Sequence, residues 1–201
     1  LKKLIENNEY TNIKLFVRSE IKMKHQKLEI IKTDFNNLKN YKEYIKGDDC
    51  FFCIGTTRKK APNKDEYRRA EYEIPVEIAQ IAKSNSVNSF VYVSSISANP
   101  KSSSAYLKNK GEVEEELKKL NFPILGILRP SFLMGKRKEK RIAEKIGILF
   151  FRMISPLFLG PLKKMKPIHS EKVAEVMINI SQRSYNKTIF ESNEIAELTL
   201  N

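Results

Sequence analysis

"SFVYVSSISANPKSSSAYLKNKGEVEEEL", residues 89–117, decides how this chain folds. "SFVYV" is apolar at consecutive positions. A strand of that kind buries both faces, as parallel strands covered by helices do and half-solvated antiparallel strands do not. It ends on Ser94 and Ser95, crosses a short polar loop, and enters a helix at which Tyr106 and Lys110 stand four residues apart. Positions i and i+4 share a helical face, so both side chains point into the same space. The acidic run "EVEEEL" (112–117) followed by Lys118 and Lys119 matches the helix dipole and reads as a solvated face.

The same alternation extends in both directions. "LKKLIENN" opens the chain as the end of an amphipathic helix. "IKLFVR" (13–18), "LEIIKTD" (28–34), "CFFCIG" (50–55) and "ILGILR" (124–129) read as further strands. Between them the spacing predicts helices over 37–47, stopped by Gly47, and over 64–83, bent or broken by Pro75. Beyond Pro130 two helices (139–154 and 171–182), a strand (187–191) and a short tail are expected. Apolar strands alternating with helices imply an α/β, doubly wound parallel sheet. The reading is one domain over 1–201, with 131–201 capping the substrate side.

Ligands of such sheets bind beyond the carboxyl ends of the strands. Those ends carry Arg18, Asp34, "GTT" (55–57), Ser94 and Ser95, and "RPS" (129–131), the composition of a cofactor cleft. The seven glycines contain no G-x-G-x-x-G, and the first residue is Leu inside a helix. Either the chain is not a dinucleotide fold, or a first strand and its glycine-rich turn precede Leu1; the second is the expectation here.

Tyr106 and Lys110 suit proton transfer. A free phenol titrates near 10 and is a poor acid or base at neutral pH, but a neighbouring ammonium favours its phenolate. The lysine also has protons to give to ribose hydroxyls. A strand-end serine could position a substrate carbonyl while a nicotinamide moves hydride. In so lysine-rich a chain roughly one Y-x-x-x-K arises by chance. A second, Tyr10 to Lys14, runs from a loop into a strand and cannot share a helical face. Context sets Tyr106 apart: a parallel strand ending in serines, a polar loop, then the helix.

"VYVSSISA", "YLKNKGEVEEEL" and "ILRPSFLMG" resemble the short-chain dehydrogenase/reductase superfamily, and in particular its atypical, epimerase-like branch containing the Tat-interacting-protein oxidoreductases. "CFFCIGTTRKKA" and "IHSEKVAEVMI" are similar to further segments of that branch, so the resemblance is collinear over nearly the whole chain. It implies a Rossmann fold, a nicotinamide cofactor, Tyr106 as acid/base, Lys110 as its ribose-binding partner, and Ser95 or Ser94 as the substrate-positioning hydroxyl. It also places Asp34 against the adenine, Gly55 and Thr56 along the cofactor, and Pro130 and Ser131 near the nicotinamide. Arg18 at the end of its strand favours NADP over NAD, because an arginine accommodates the 2′-phosphate; Asp34 could equally cap the following turn. The function implied is an NADP-preferring oxidoreductase of a small carbonyl or alcohol substrate. The alternative is a nucleotide-binding regulator that uses the fold to bind a protein partner without turnover.

Composition narrows the remaining classes. A formal charge of +13 and a pI near 9.6 favour anionic ligands. The lysines are spread along the chain, whereas a nucleic-acid footprint concentrates them. The two histidines, His25 and His169, have no ligand spacing, so no metal site is expected. Cys50 and Cys53 on one strand would face opposite ways roughly 10 Å apart, too far for a disulfide, and read as core thiols in a reducing compartment. With no signal peptide visible, the expected location is cytoplasmic. The apolar stretch 146–162 is broken by Arg152 and Pro156 and falls short of the roughly 20 residues a spanning helix needs. It reads as a buried helix or a lid over the ligand, or as an interfacial anchor.

Overall fold

In a computed structural model that describes residues 1–134 and 166–198, the chain alternates strands and helices as its apolar runs require. The strands are β1 (Ile13–Val17), β2 (Leu28–Lys32), β3 (Asp49–Phe52), β4 (Ser89–Val93), β5 (Ile124–Arg129), a two-residue β6 (Leu133–Met134) paired with β7 (Ile168–His169), and β8 (Ile189–Glu191). Every pairing among them is parallel. β3-β4-β5-β8 form one sheet and β1-β2 a separate pair. No described strand joins β1 to β3. Tyr10 ties the two together: its ring packs edge-on against Phe51, and its hydroxyl donates to Asp49 at 2.7 Å.

Strand β4 shows why the sheet is parallel and buried. Phe90, Val91 and Tyr92 are all at 0% exposure. Phe90 and Tyr92 enter one core with Leu38, Phe52, Ile78 and Leu117, while Val91 faces the other with Leu128, Val176, Ile180 and Phe190. Burial of each such side chain contributes about 1.5–3 kcal/mol. The chain opens on a short helix, α1 (Lys2–Glu6), and the first face is covered by α2 (Lys64–Arg68), α3 (Ile74–Ser84) and α4 (Ala105–Lys119). The second is covered by α5 (Ser170–Gln182) and α6 (Ser192–Glu197).

Three elements differ from expectation for local reasons. The helix over 37–47 is a single 3-10 turn, Leu38–Tyr41, and the chain beyond it is held by the Asn85 amide, which donates to the carbonyls of Lys42 and Ile45. The helix over 64–83 neither breaks nor bends at Pro75 alone. A π turn, Arg69–Glu73, links α2 to α3 and puts Pro75 in the first turn of α3. Proline has no N–H for the carbonyl four residues back and crowds it, and that residue is Glu71. The Ile74 N–H accordingly bonds to Arg69 O, one residue further back than in an α-helix. The short C-terminal tail contains α6, stapled by a capping box between Glu191 and Glu194.

Helix α4 docks through Gly111. A Cβ there would stand 2.7 Å from Pro100 Cδ and closer still to the Asn99–Pro100 peptide, so only glycine lets the helix approach this loop. The expected helix over 139–154 and the apolar stretch 146–162 lie outside the described residues. Among the described residues no helix is long and apolar enough to cross a membrane.

Candidate active site

The carboxyl ends of β3 and β4 and the first turns of α4 enclose a cavity of about 720 Å³. Tyr106, Lys110 and Ser94 line it, facing Gly55 and Thr56 from the loop after β3. Tyr106 keeps 38% of its surface exposed at the rim, whereas Lys110 at 4% lies at the floor. The Lys110 ammonium donates to Val93 O at 3.3 Å and stands 4.8 Å over the Tyr92 ring. Burial of an ammonium requires an anion, and Glu71, 1% exposed on the π turn, supplies it with Oε2 at 3.3 Å from Nζ. The other Glu71 oxygen accepts the Thr56 N–H at 2.5 Å. Tyr67, from α2, completes this wall beneath the Arg58 guanidinium. Burial, with Glu71 and Tyr106 nearby, raises its phenol above the ordinary value.

Ser94 is fixed from behind. Its hydroxyl donates to Glu114 Oε1 at 2.5 Å, and Glu114 also takes two bonds from Arg129, at 2.9 and 2.5 Å. Arg129 reaches on to Glu191 at 3.2 Å. Donating hydrogen bonds to the Glu114 carboxylate raises the Arg129 guanidinium above its ordinary value. Ser94 therefore offers any further partner an acceptor, its own proton being committed. The acidic run of α4 is not wholly solvated as expected, since Glu114 is buried by this network.

A second cavity, of about 910 Å³, adjoins the first and shares Thr56 and Lys60 with it. Arg18, Lys32 and Asp34 line it from the ends of β1 and β2. Asp34 also caps its own turn, accepting the Asn36 N–H at 3.0 Å. The structure thus gathers Tyr106, Lys110, Ser94, Gly55 and Thr56 around one cavity, and Arg18 and Asp34 around its neighbour. Ser95 is half-buried next to Ser94 but outside the described lining. Pro130 is buried, with its carbonyl accepting from Ile96 N. Ser131 turns away to Lys166 O and Ser192. From this region it is Leu133 that reaches the cavity.

Sequence reasoning missed Glu71, Lys32, Lys60 and Tyr67. The one legible signal for Glu71 was a proline four residues after an acid within a helix. The cysteines also depart from expectation. They do face opposite ways, Cys50 packing on the first core and Cys53 lying 4.0 Å from Met177 of the second. Cys53, however, is exposed and lines the cavity, because β3 ends at Phe52. Burial pushes the Cys50 thiol up to about 12, so it stays protonated at neutral pH. Among the described residues no His, Cys, Asp or Glu cluster could hold a metal ion.

A sequence profile for a family described as NAD(P)H-binding matches residues 1–183. The chain is 37% identical over 158 residues to protein FMP52-1, mitochondrial, of Scheffersomyces stipitis, covering 74% of this chain and 68% of that protein. It is 32% identical over 155 residues to protein HTATIP2 of Rattus norvegicus, covering 75% and 64%. Among solved structures, the Bordetella bronchiseptica enzyme WbmH in complex with NAD+ superposes with a TM-score of 0.68 at 14% identity, covering 93% of this chain and 70% of that one. MoeE5 in complex with UDP-glucuronic acid and NAD gives 0.67 at 17%, covering 98% and 78%. At such identities these two show the fold alone. The chain spans about two thirds of the length of the two curated relatives. The cytoplasmic placement expected from the sequence is overturned, since relatives in three yeasts are named mitochondrial. That expectation rested on reduced thiols and the lack of a visible leader, and neither separates one reducing compartment from another.

Proposed function

The chain belongs to the NAD(P)H-binding family, and from that premise we propose that it is an NADP-preferring oxidoreductase of the atypical short-chain type, acting on a small carbonyl or alcohol. The observation that carries this reading is the convergence of Tyr106, Lys110 and Ser94 on one cavity whose continuation bears Arg18 and Lys32. The residues present fit the cofactor. The small Gly55–Thr56 segment lines the passage, Lys60 spans both cavities, and the cations of the second suit a phosphorylated ribose.

Bound nicotinamide supplies or takes up the hydride. Tyr106 moves the matching proton at the substrate oxygen, from a rim position open to that substrate. Lys110 favours the phenolate through its charge and donates to ribose hydroxyls. Ser94, its proton held by Glu114, accepts from a donor group of the substrate other than the reacting oxygen and so fixes that oxygen's distance to the phenol. Arg18, with Lys32 beside it, selects the 2′-phosphate.

The test is titration of the full-length protein with NADPH and with NADH, read by nicotinamide fluorescence. NADPH should bind at least about tenfold more tightly, and Arg18→Ala should remove most of that difference, on the order of 1–2 kcal/mol for a charged contact. Equal affinities in the wild type end the NADP preference, and no binding of either ends the oxidoreductase.

A further inference from the structure

Glu71 is an acid where the packing alone calls for an apolar residue. It is 1% exposed, among the largest fully buried side chains, and a buried carboxylate is costly unless both oxygens are satisfied. Here the two oxygens are held differently: Oε1 is hydrogen-bonded, whereas Oε2, without a hydrogen-bond partner among the described residues, is balanced by the charge of Lys110. Oε1 takes the N–H of Thr56, which lines both cavities, and Oε2 faces the Lys110 ammonium at 3.3 Å. The π turn delivers the carboxylate there, and Pro75 four residues on accounts for that turn.

The ionisable groups facing Glu71 are Lys110 from α4, Tyr92 from β4 and Tyr67 from α2. The acids that follow it, Glu73 and Glu77, turn instead to Arg69. Glu71 is therefore the anion paired directly with Lys110. An ammonium lowers a phenol's pKa, and a carboxylate against that ammonium offsets the effect.

We propose that Glu71 is a positioning residue, which holds Lys110 against the cofactor-lining loop and whose charge moderates the pull of Lys110 on the Tyr106 phenol. This rests on the oxidoreductase reading, in which Tyr106 and Lys110 work together. Its consequence is read by removing the carboxylate, which leaves the charge of Lys110 unbalanced beside the phenol.

The experiment titrates Tyr106 directly by carbon-13 tyrosine NMR of the full-length protein, its signal assigned by its loss in Tyr106→Phe. Four proteins are compared: wild type, Glu71→Gln, Lys110→Met and the double variant. Glu71→Gln keeps the size and an acceptor for Thr56, and should lower the Tyr106 titration by about one pH unit. Lys110→Met should raise it by a similar amount, and the double variant should return to within a few tenths of a unit of wild type. Glu71→Gln titrating like wild type, or the double variant like Lys110→Met, overturns the proposal. If the single variants do not fold, wild type and the double variant decide alone, because removing both members of a buried pair is far better tolerated than removing one: titrations within a few tenths of a unit support the proposal, and a double variant raised by about one unit overturns it. Wild type that binds neither NADPH nor NADH would remove the oxidoreductase but leave the Tyr106 titrations to judge Glu71.

Discussion

Replacing Gly111 by alanine sets two effects against each other, and their sizes decide the outcome. Gly111 lies within α4 at ordinary helical dihedrals, so alanine is conformationally acceptable there. On propensity alone the substitution should stabilise by about 0.8–1 kcal/mol. The new Cβ, however, would meet the peptide between Asn99 and Pro100, with Pro100 Cδ at 2.7 Å against an ordinary carbon contact of about 3.5–4.0 Å. Overpacking costs about 1–3 kcal/mol where side chains can yield. A backbone cannot swing aside as a side chain can, so the cost belongs at the upper end. The net is a loss of about 1–2 kcal/mol, or roughly 2–8 °C in Tm for a chain of this size. To relieve the overlap α4 must retreat by on the order of 1 Å, carrying Tyr106 and Lys110 with it, a displacement able to cost about 100-fold in rate. Urea unfolding measures the loss of stability, and NADPH turnover the loss of rate. A variant as stable as wild type, or more stable by the propensity gain, would refute the packing argument.

Three other outcomes follow from the same geometry. Tyr106→Phe should abolish turnover while leaving NADPH affinity within about threefold, since the phenol's role is at the substrate oxygen, and Lys110→Ala should weaken both; equal activity in both variants would sink the assignment. Glu114→Gln keeps the shape but removes the anion shared by Ser94 and Arg129. Breaking a buried pair costs about 3–5 kcal/mol, and because Arg129 retains Glu191 the expected loss in urea is about 2–3 kcal/mol. Cys50 is raised from 9.0 to about 12, so the folded state holds its proton more tightly than the unfolded chain does. Its contribution is whole below pH 9 and is lost as the pH climbs towards 12. Cys50→Ala should therefore show a shallower fall in urea midpoint across that range, and parallel curves for the two proteins would contradict it.

Much of the architecture was legible because it depends on local pattern. "SFVYV" reads as a two-sided buried strand from its composition, and Tyr106 and Lys110 share a face because helical geometry allows nothing else. The second-cavity residues Arg18 and Asp34 were visible as strand ends. Gly47 could be read only as a helix stop; that the chain before it is a single turn held by Asn85, about 40 residues downstream, was not visible in the spacing. Lys110 was legible as a charge, but not as one buried at the floor of the cavity.

What the sequence determined by itself was the order of strands and helices, the parallel sheet, and the pairing of Tyr106 with Lys110, all consequences of spacing along one chain. Tertiary structure alone decided which acids these residues meet. Glu71 reaches Lys110 across 39 positions, and Glu114 meets Ser94 across 20 and Arg129 across 15. Helical periodicity marks both acids only as members of polar runs. Their burial comes from where α4 and the π turn come to rest against the sheet, because a carboxylate is stable in the interior only once its cation has been brought to the same place.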